Sequence, residues 1–369
     1  MSCLTAFLFG GVERRGNDTT PSSGNMQDTS VFSTTPADKP SPSPSPSIWA
    51  SRPWTPVRSE DSSAIIGWTK ARVSYLDSSP LEQQTLDVYI PLPPEHSTTP
   101  PPAGTLPLLP GKWIIFIHGG AWRDPKILSS AFIPAARRLL ATNPGEISGM
   151  ASLNYRLSPH PDHPSSSPDD AAGRNAHHPD HIADVLSGLS FLQQLAPDME
   201  YVLAGHSCGA TLAFQVVMRK PERWGLPGMQ IRLPRAVVGF NGLYDLAGFI
   251  ARPDEGFEDL REAYVEFTRG AFGDDESVWR DVCPTTAADP GGWVGEWAAG
   301  GGQKVCLVQS PEDTLVPRGQ LEGLWAVLED AGKGEVVVEE REASGGHDAI
   351  WMGEGMAPVL VEVLRSLDQ

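Results

Sequence analysis

Three scarcities narrow this sequence before any motif is read. No stretch approaches the ~18 consecutive apolar residues that a membrane-spanning helix requires. The short apolar run CLTAFLFGG (Cys3–Gly11) has no basic region before it and no small-residue cleavage site after it, which argues against a secretory signal. Cysteine is rare: Cys3, Cys208, Cys283 and Cys306 form no CxxC pair and no Cys/His spacing typical of zinc. A reducing compartment fits best, and the protein is expected in the cytoplasm. Basic residues are also few, 28 against 46 acidic ones, for a formal net charge of -18. That balance argues against nucleic acid or an anionic membrane surface as a partner, because both need clustered Lys and Arg. It leaves a small-molecule substrate, and it is compatible with a homodimer.

Serine, threonine and proline are abundant near the N-terminus, including the run PSPSPSPS. Such a segment buries too little apolar surface to offset its ordering entropy. A disordered leader is therefore expected over residues 1–60, and a folded domain over 64–369. The folded part opens with two β-prone runs, KARVSYL and QQTLDVYIPL. A continuously apolar segment follows, Trp113–Ile117, as a strand buried on both faces requires. From there strand-like and helix-like segments alternate: Phe132–Thr142 helical, Gly149–Asn154 extended, His181–Leu195 helical, Tyr201–Ala204 extended, Ala210–Arg219 helical, Arg235–Phe240 extended. Lys304–Val308, Leu321–Leu328, Glu335–Glu340 and Ala357–Leu367 continue the rhythm. This order predicts an α/β fold with a mostly parallel central sheet and helices on both faces. Two stretches interrupt it: a polar insertion near 158–178, and residues 246–302, which read as a small cap or as a surface excursion.

Gly205-His206-Ser207-Cys208-Gly209 is a G-x-S-x-G motif between the strand YVLA and the helical run ATLAFQVVM. The pattern alone is common; the strand-to-helix context gives it meaning, since a sharp turn there exposes the serine hydroxyl. Ser207 is the candidate nucleophile, and the N–H of Cys208, at the helix start, is aimed at an oxyanion. His118-Gly119-Gly120-Ala121-Trp122 follows the strand WIIFI, and its glycines let backbone N–H groups turn inward. Gly120 and Ala121 are the expected donors. His118 braces the loop rather than acting as a base, and Trp122 forms a wall of the acyl pocket.

In hydrolases built on such a turn the triad runs Ser, then Asp or Glu, then His. His347, in a glycine-containing loop after EVVVEE, is the only histidine after Ser207. The acid should follow KVCLVQS, where Asp313 is preferred over Glu312 as the D of a D-x-x-V-P turn; Asp245 of GLYDL is a reserve with a turn role of its own.

Taken together, HGGAW (His118–Trp122), GHSCGA (Gly205–Ala210), SPEDTLVP (Ser310–Pro317) and GGHDAIW (Gly345–Trp351) resemble the kynurenine formamidase family of α/β-hydrolases. NYRLSP (Asn154–Pro159), HPDHIADV (His178–Val185) and GLYDL (Gly242–Leu246) support the likeness, which spans Ala64 to the C-terminus. HGGAW is the discriminating element, because the wider esterase group often carries HGGG there. The insertion between SPH and HPDHI departs from the family's compactness. The resemblance implies hydrolysis of N-formyl-L-kynurenine to L-kynurenine and formate, with no metal and no organic cofactor. It also suggests Trp293 and Trp297 as packing partners for the aromatic amine. A short-chain carboxylesterase of the hormone-sensitive-lipase type would carry the same triad. A non-catalytic binding module on this fold would ordinarily have lost the serine or the histidine.

Overall fold

The apolar runs become strands of one twisted sheet. In a computed structural model, residues 46–76, 81–93, 98–142, 145–160, 174–218, 220–286, 292–331, 336–352 and 355–368 are described. Their strands are β1 (Thr55–Arg58), β2 (Ile65–Ser74), β3 (Thr85–Pro91), β4 (Lys112–Ile117), β5 (Ile147–Leu153), β6 (Tyr201–His206), β7 (Ala236–Phe240), β8 (Lys304–Gln309) and β9 (Val337–Glu342). They pair in the order β1-β2-β3-β5-β4-β6-β7-β8-β9. β1, β2, β3 and β5 are joined antiparallel. The pairs from β5–β4 through β8–β9 are all parallel. Every residue of β5, β6 and β7 is buried, as in strands covered on both faces.

The helices are α1 (Pro46–Ser51), α2 (Ile133–Thr142), α3 (Asp180–Leu195), α4 (Cys208–Met218), α5 (Leu246–Ala251), α6 (Arg261–Phe272), α7 (Glu276–Asp281), α8 (Gly292–Ala299), α9 (Arg318–Ala331) and α10 (Met356–Ser366). α2 packs on α10, while α4 packs on α3 and α8. No residue of α4 is exposed, which suits a helix without a polar face. Because the strands from β4 onward run the same way, the loops after β4, β6, β7, β8 and β9 emerge at one edge of the sheet. Ligands of open α/β sheets bind at that carboxyl edge. No helix among the described residues is long and apolar enough to cross a membrane.

Order begins earlier than the Ser/Thr/Pro composition indicates. Residues 1–45 lie outside the described part, but α1 and β1 fall inside the stretch expected to be a disordered leader, which corrects its boundary at residue 60. The physical reason is two tryptophans that composition averaging conceals. Trp49 and Trp54 are buried and meet edge to face with centroids 5.6 Å apart. Between them and β2 sits the ammonium of Lys70, 4.4 and 5.1 Å from the two ring centroids. Its Nζ donates to the carbonyls of Trp49, Arg52 and Ala103. Burial lowers the Lys70 pKa to about 8. Of the expected polar insertion, residues 161–173 lie outside the described part. Its far end is tied down by Ala176 N–H to Leu157 O (2.9 Å) and His178 N–H to Ala271 O (2.7 Å).

Candidate active site

Ser207 sits at the turn between β6 and α4 with φ 54°, a left-handed conformation that a serine adopts only under constraint. Its backbone supplies that constraint: Ser207 N–H donates to Phe240 O (2.9 Å), and its carbonyl accepts from Ala210 N–H (3.0 Å). The turn is tight enough to demand glycine on both sides. A Cβ on Gly205 would lie 2.2 Å from Gly209 O, and one on Gly209 would lie 2.3 Å from Ile117 O. Among the described residues none hydrogen-bonds the Ser207 hydroxyl; contacts to a catalytic group often close only when substrate is bound.

The acid turn and the histidine loop meet beside it. His347 Nδ1 lies 2.7 Å from Asp313 Oδ2, both groups buried. Asp313 is fixed by its other oxygen, Oδ1, which accepts from Leu315 N–H (2.8 Å) and Val316 N–H (3.0 Å). Glu312 turns away and accepts from Gly345 N–H, and Asp245 caps α5 by accepting from Gly248 N–H. Thus neither alternative acid reaches the imidazole. Two residues that motif reading passed over hold the His347 backbone. His206 Nε2 donates to His347 O (2.9 Å), and Asn241 Nδ2 donates to the same carbonyl (3.3 Å). Asn241 Oδ1 accepts from Ser310 N–H (2.9 Å), so one side chain at the end of β7 couples the acid turn to the histidine loop. The only sequence signal for it was its place directly after a core strand. The His206 and His347 rings are 4.6 Å apart, and burial holds the His206 pKa well below its ordinary value. A neutral His206 does not oppose an imidazolium at His347.

The loop after β4 folds over Ser207. Gly119 is the point of closest approach: a Cβ there would lie 2.8 Å from His206 Nδ1 and 3.0 Å from Ser207 Cβ. Gly120, Ala121 and Trp122 then take φ values of 100°, 49° and 59° in succession. For the two non-glycine residues this costs about 1–3 kcal/mol each, so the surroundings must impose it. Arg123 N–H and Asp124 N–H both donate to Gly120 O (2.9 Å), and Ser158 N–H donates to Trp122 O (2.8 Å). His118 is buried, bonds through Nδ1 with Gly119 O (2.8 Å), and has its pKa lowered to about 4 by burial. It is a neutral brace. The Trp122 indole is fully buried against Phe272 and Phe267 of α6, with centroids 4.9 and 6.0 Å away. Arg123 pairs with Glu266 (2.9 Å), and Tyr264 Oη donates to Leu315 O (2.9 Å). Helix α6 therefore touches both the glycine loop and the acid turn.

Trp293 and Trp297 do not reach this place, which corrects their expected role. Trp297 Nε1 donates to Pro234 O (2.8 Å), before β7 begins, whereas Ser207 is bonded at Phe240 where β7 ends. At about 3.3 Å per residue, Pro234 to Phe240 spans about 20 Å. Trp293 packs on Trp297 and on Phe214 of α4. Both are buried anchors of α8. Among the described residues, His206, His347 and Asp348 bring ligand-type atoms within 4.8 Å of one another. His206 Nε2 and His347 Nδ1 are already engaged, which leaves His206 Nδ1 and His347 Nε2 as the ring atoms that such a set could offer.

No family model matches the chain. It is 37% identical over 307 residues to a kynurenine formamidase-like hydrolase of Fusarium equiseti, covering 80% of this chain and 94% of that relative. It is 36% identical over 258 residues to a kynurenine formamidase of Aspergillus versicolor, covering 66% of this chain and 84% of the relative. Among solved structures, an esterase B from Lactobacillus rhamnosis superposes with a TM-score of 0.57 at 16% identity, covering 85% of this chain and 87% of the other. The esterase likeness shows the fold alone, that of the α/β-hydrolases.

Proposed function

Because this chain belongs to the kynurenine formamidase family of α/β-hydrolases, we propose that it hydrolyses N-formyl-L-kynurenine to L-kynurenine and formate through Ser207, His347 and Asp313. The observation that carries the assignment of roles is the 2.7 Å pair of His347 Nδ1 and Asp313, set beside a serine at a left-handed turn. Asp313, held by two backbone N–H groups, keeps the Nδ1–H tautomer of His347, and Nε2 is then free to take the Ser207 proton. Ser207 Oγ attacks the formyl carbon. The oxygen charge that develops is received by the N–H groups of Gly120, Ala121 and Cys208. On collapse, His347 delivers its proton to the departing aryl amine, and a formyl ester of Ser207 remains. Water, deprotonated by His347, attacks that ester through the same oxyanion site, and formate leaves as Ser207 regains its proton. Trp122, whose indole is fully buried against Phe267 and Phe272, holds the end of the glycine loop in place. The three described cysteines are buried and free, which supports a reducing, cytoplasmic setting.

The test is release of kynurenine, followed by absorbance, from N-formyl-L-kynurenine by the protein and by Ser207→Ala, with a short-chain nitrophenyl ester in parallel. A far higher kcat/KM on the formamide, lost in the variant, is expected. Cleavage of the ester alone would make the protein a carboxylesterase and refute the substrate. Activity persisting in Ser207→Ala would refute the mechanism.

A further inference from the structure

The strained loop at Gly120–Trp122 needs a constraint from beneath, and two side chains outside the triad provide one. Tyr155, in the loop after β5, is fully buried and stacks on the His118 ring (4.5 Å between centroids, 14° between planes). Its Oη lies 3.1 Å from His118 O, 3.3 Å from Gly119 O and 3.5 Å from Cys208 Sγ. Cys208 Sγ in turn accepts from Trp122 N–H at 3.3 Å. Proton counting gives these contacts one direction. Trp122 N–H must donate to sulfur. A phenol has one proton, and the His118 and Gly119 carbonyls can only accept, so Tyr155 O–H donates to them. The thiol S–H then donates to Tyr155 Oη. Burial raises both pKa values, Cys208 to about 11, so both protons stay in place at neutral pH.

We propose that Tyr155 and the Cys208 thiol are positioning residues for the oxyanion loop. The chain Trp122 N–H, Cys208 S–H, Tyr155 O–H, His118 and Gly119 carbonyl clasps the loop at both ends. It directs the Gly120 and Ala121 N–H groups toward the oxygen of the carbonyl that Ser207 attacks. Cys208 thus serves twice: its backbone N–H faces the oxyanion, and its side chain ties the opposite wall of the hole to the same residue. This rests on the triad roles given above, although not on which acyl compound is the substrate. Acylation and deacylation both pass through an oxyanion, so loosening the clasp lowers kcat whichever step limits turnover, and leaves KM nearly unchanged.

The decisive variants are Tyr155→Phe, which keeps the ring stack and removes one oxygen, Cys208→Ala, Cys208→Ser and the double variant Tyr155→Phe/Cys208→Ala. Each is assayed on N-formyl-L-kynurenine and on 4-nitrophenyl acetate, with thermal melts alongside. Removing an oxyanion donor outright costs ~10²–10³ in rate. Misaligning two donors is expected to lower kcat about tenfold to a hundredfold, equally on both substrates. The double variant should be no worse than the poorer single one, since either change opens the same chain. Cys208→Ser, whose hydroxyl both accepts and donates, should recover most of the Cys208→Ala loss. A Tyr155→Phe kcat within twofold of the parent, losses that multiply in the double variant, or a raised KM with kcat intact would overturn the proposal. If Cys208→Ala fails to fold, Tyr155→Phe decides alone. Should the ester but not the formamide be cleaved, the substrate assignment fails, and the ester series still decides the clasp.

Discussion

Replacing Asp313 by asparagine tests the triad at the place where the geometry is most constraining. Asp313 Oδ1 accepts two backbone N–H groups, from Leu315 and Val316, and Oδ2 faces His347 Nδ1. An asparagine of the same shape must choose which end carries its oxygen. Placing NH₂ against the two backbone donors would leave both unsatisfied, at about 1–3 kcal/mol each. The oxygen therefore stays on Leu315 and Val316, and NH₂ faces the imidazole. Nδ1 must then accept, the ring proton moves to Nε2, and His347 can no longer receive the Ser207 proton. The expected loss in kcat is ~10⁴, about 5.5 kcal/mol at 1.36 kcal/mol per tenfold. KM and the melting temperature should move little, because shape and backbone bonds are kept. Steady-state kinetics on N-formyl-L-kynurenine measure the loss, and Glu312→Gln serves as the control, expected to stay within threefold of the parent. A loss of less than tenfold in Asp313→Asn, or a large one in Glu312→Gln, would refute the tautomer reasoning.

Three further outcomes follow from the packing. Gly119→Ala should lower kcat about tenfold or more, since its Cβ would press on His206 and Ser207 and lift the oxyanion loop; an unchanged kcat would show that the loop yields without consequence. Trp297→Ala should cost about 3–5 kcal/mol of stability in denaturant unfolding, while kcat holds, because the residue is anchored at Pro234 on the far edge of the sheet. Acidification should destabilise the fold. Burial lowers the pKa of His118 to about 4, of His181 to about 3, and of His206 well below the usual value. Below the unfolded value of about 6.5 the unfolded chain takes up protons that the native state refuses. Stability is therefore present above that pH and falls as pH drops toward 4, by about 1.4 kcal/mol per pH unit for each such histidine. A melting temperature that stays flat from pH 7 to pH 5 would contradict this.

The local alphabet of the chain was enough for the strand and helix order from β2 to β7 and from β8 to α10, because uninterrupted apolar runs such as Trp113–Ile117 fit best inside a parallel sheet. It was also enough to single out Ser207, Asp313 and His347, since a strained turn needs flanking glycines and the triad keeps its chain order. Composition failed at residues 46–58, where Trp49 and Trp54 outweigh the surrounding serines and prolines by burying their rings around Lys70. It failed again at Trp293 and Trp297, because a buried indole reads alike at either edge of a sheet. The sequence alone thus nominated the residues proposed to carry the chemistry. Tertiary structure alone decided what holds them: His206 and Asn241 on the His347 carbonyl, Tyr155 and Cys208 beneath the glycine loop, α6 across the loop and the acid turn. Those contacts join positions far apart in the chain, and no local pattern encodes a hydrogen bond whose two ends meet only after the sheet has closed.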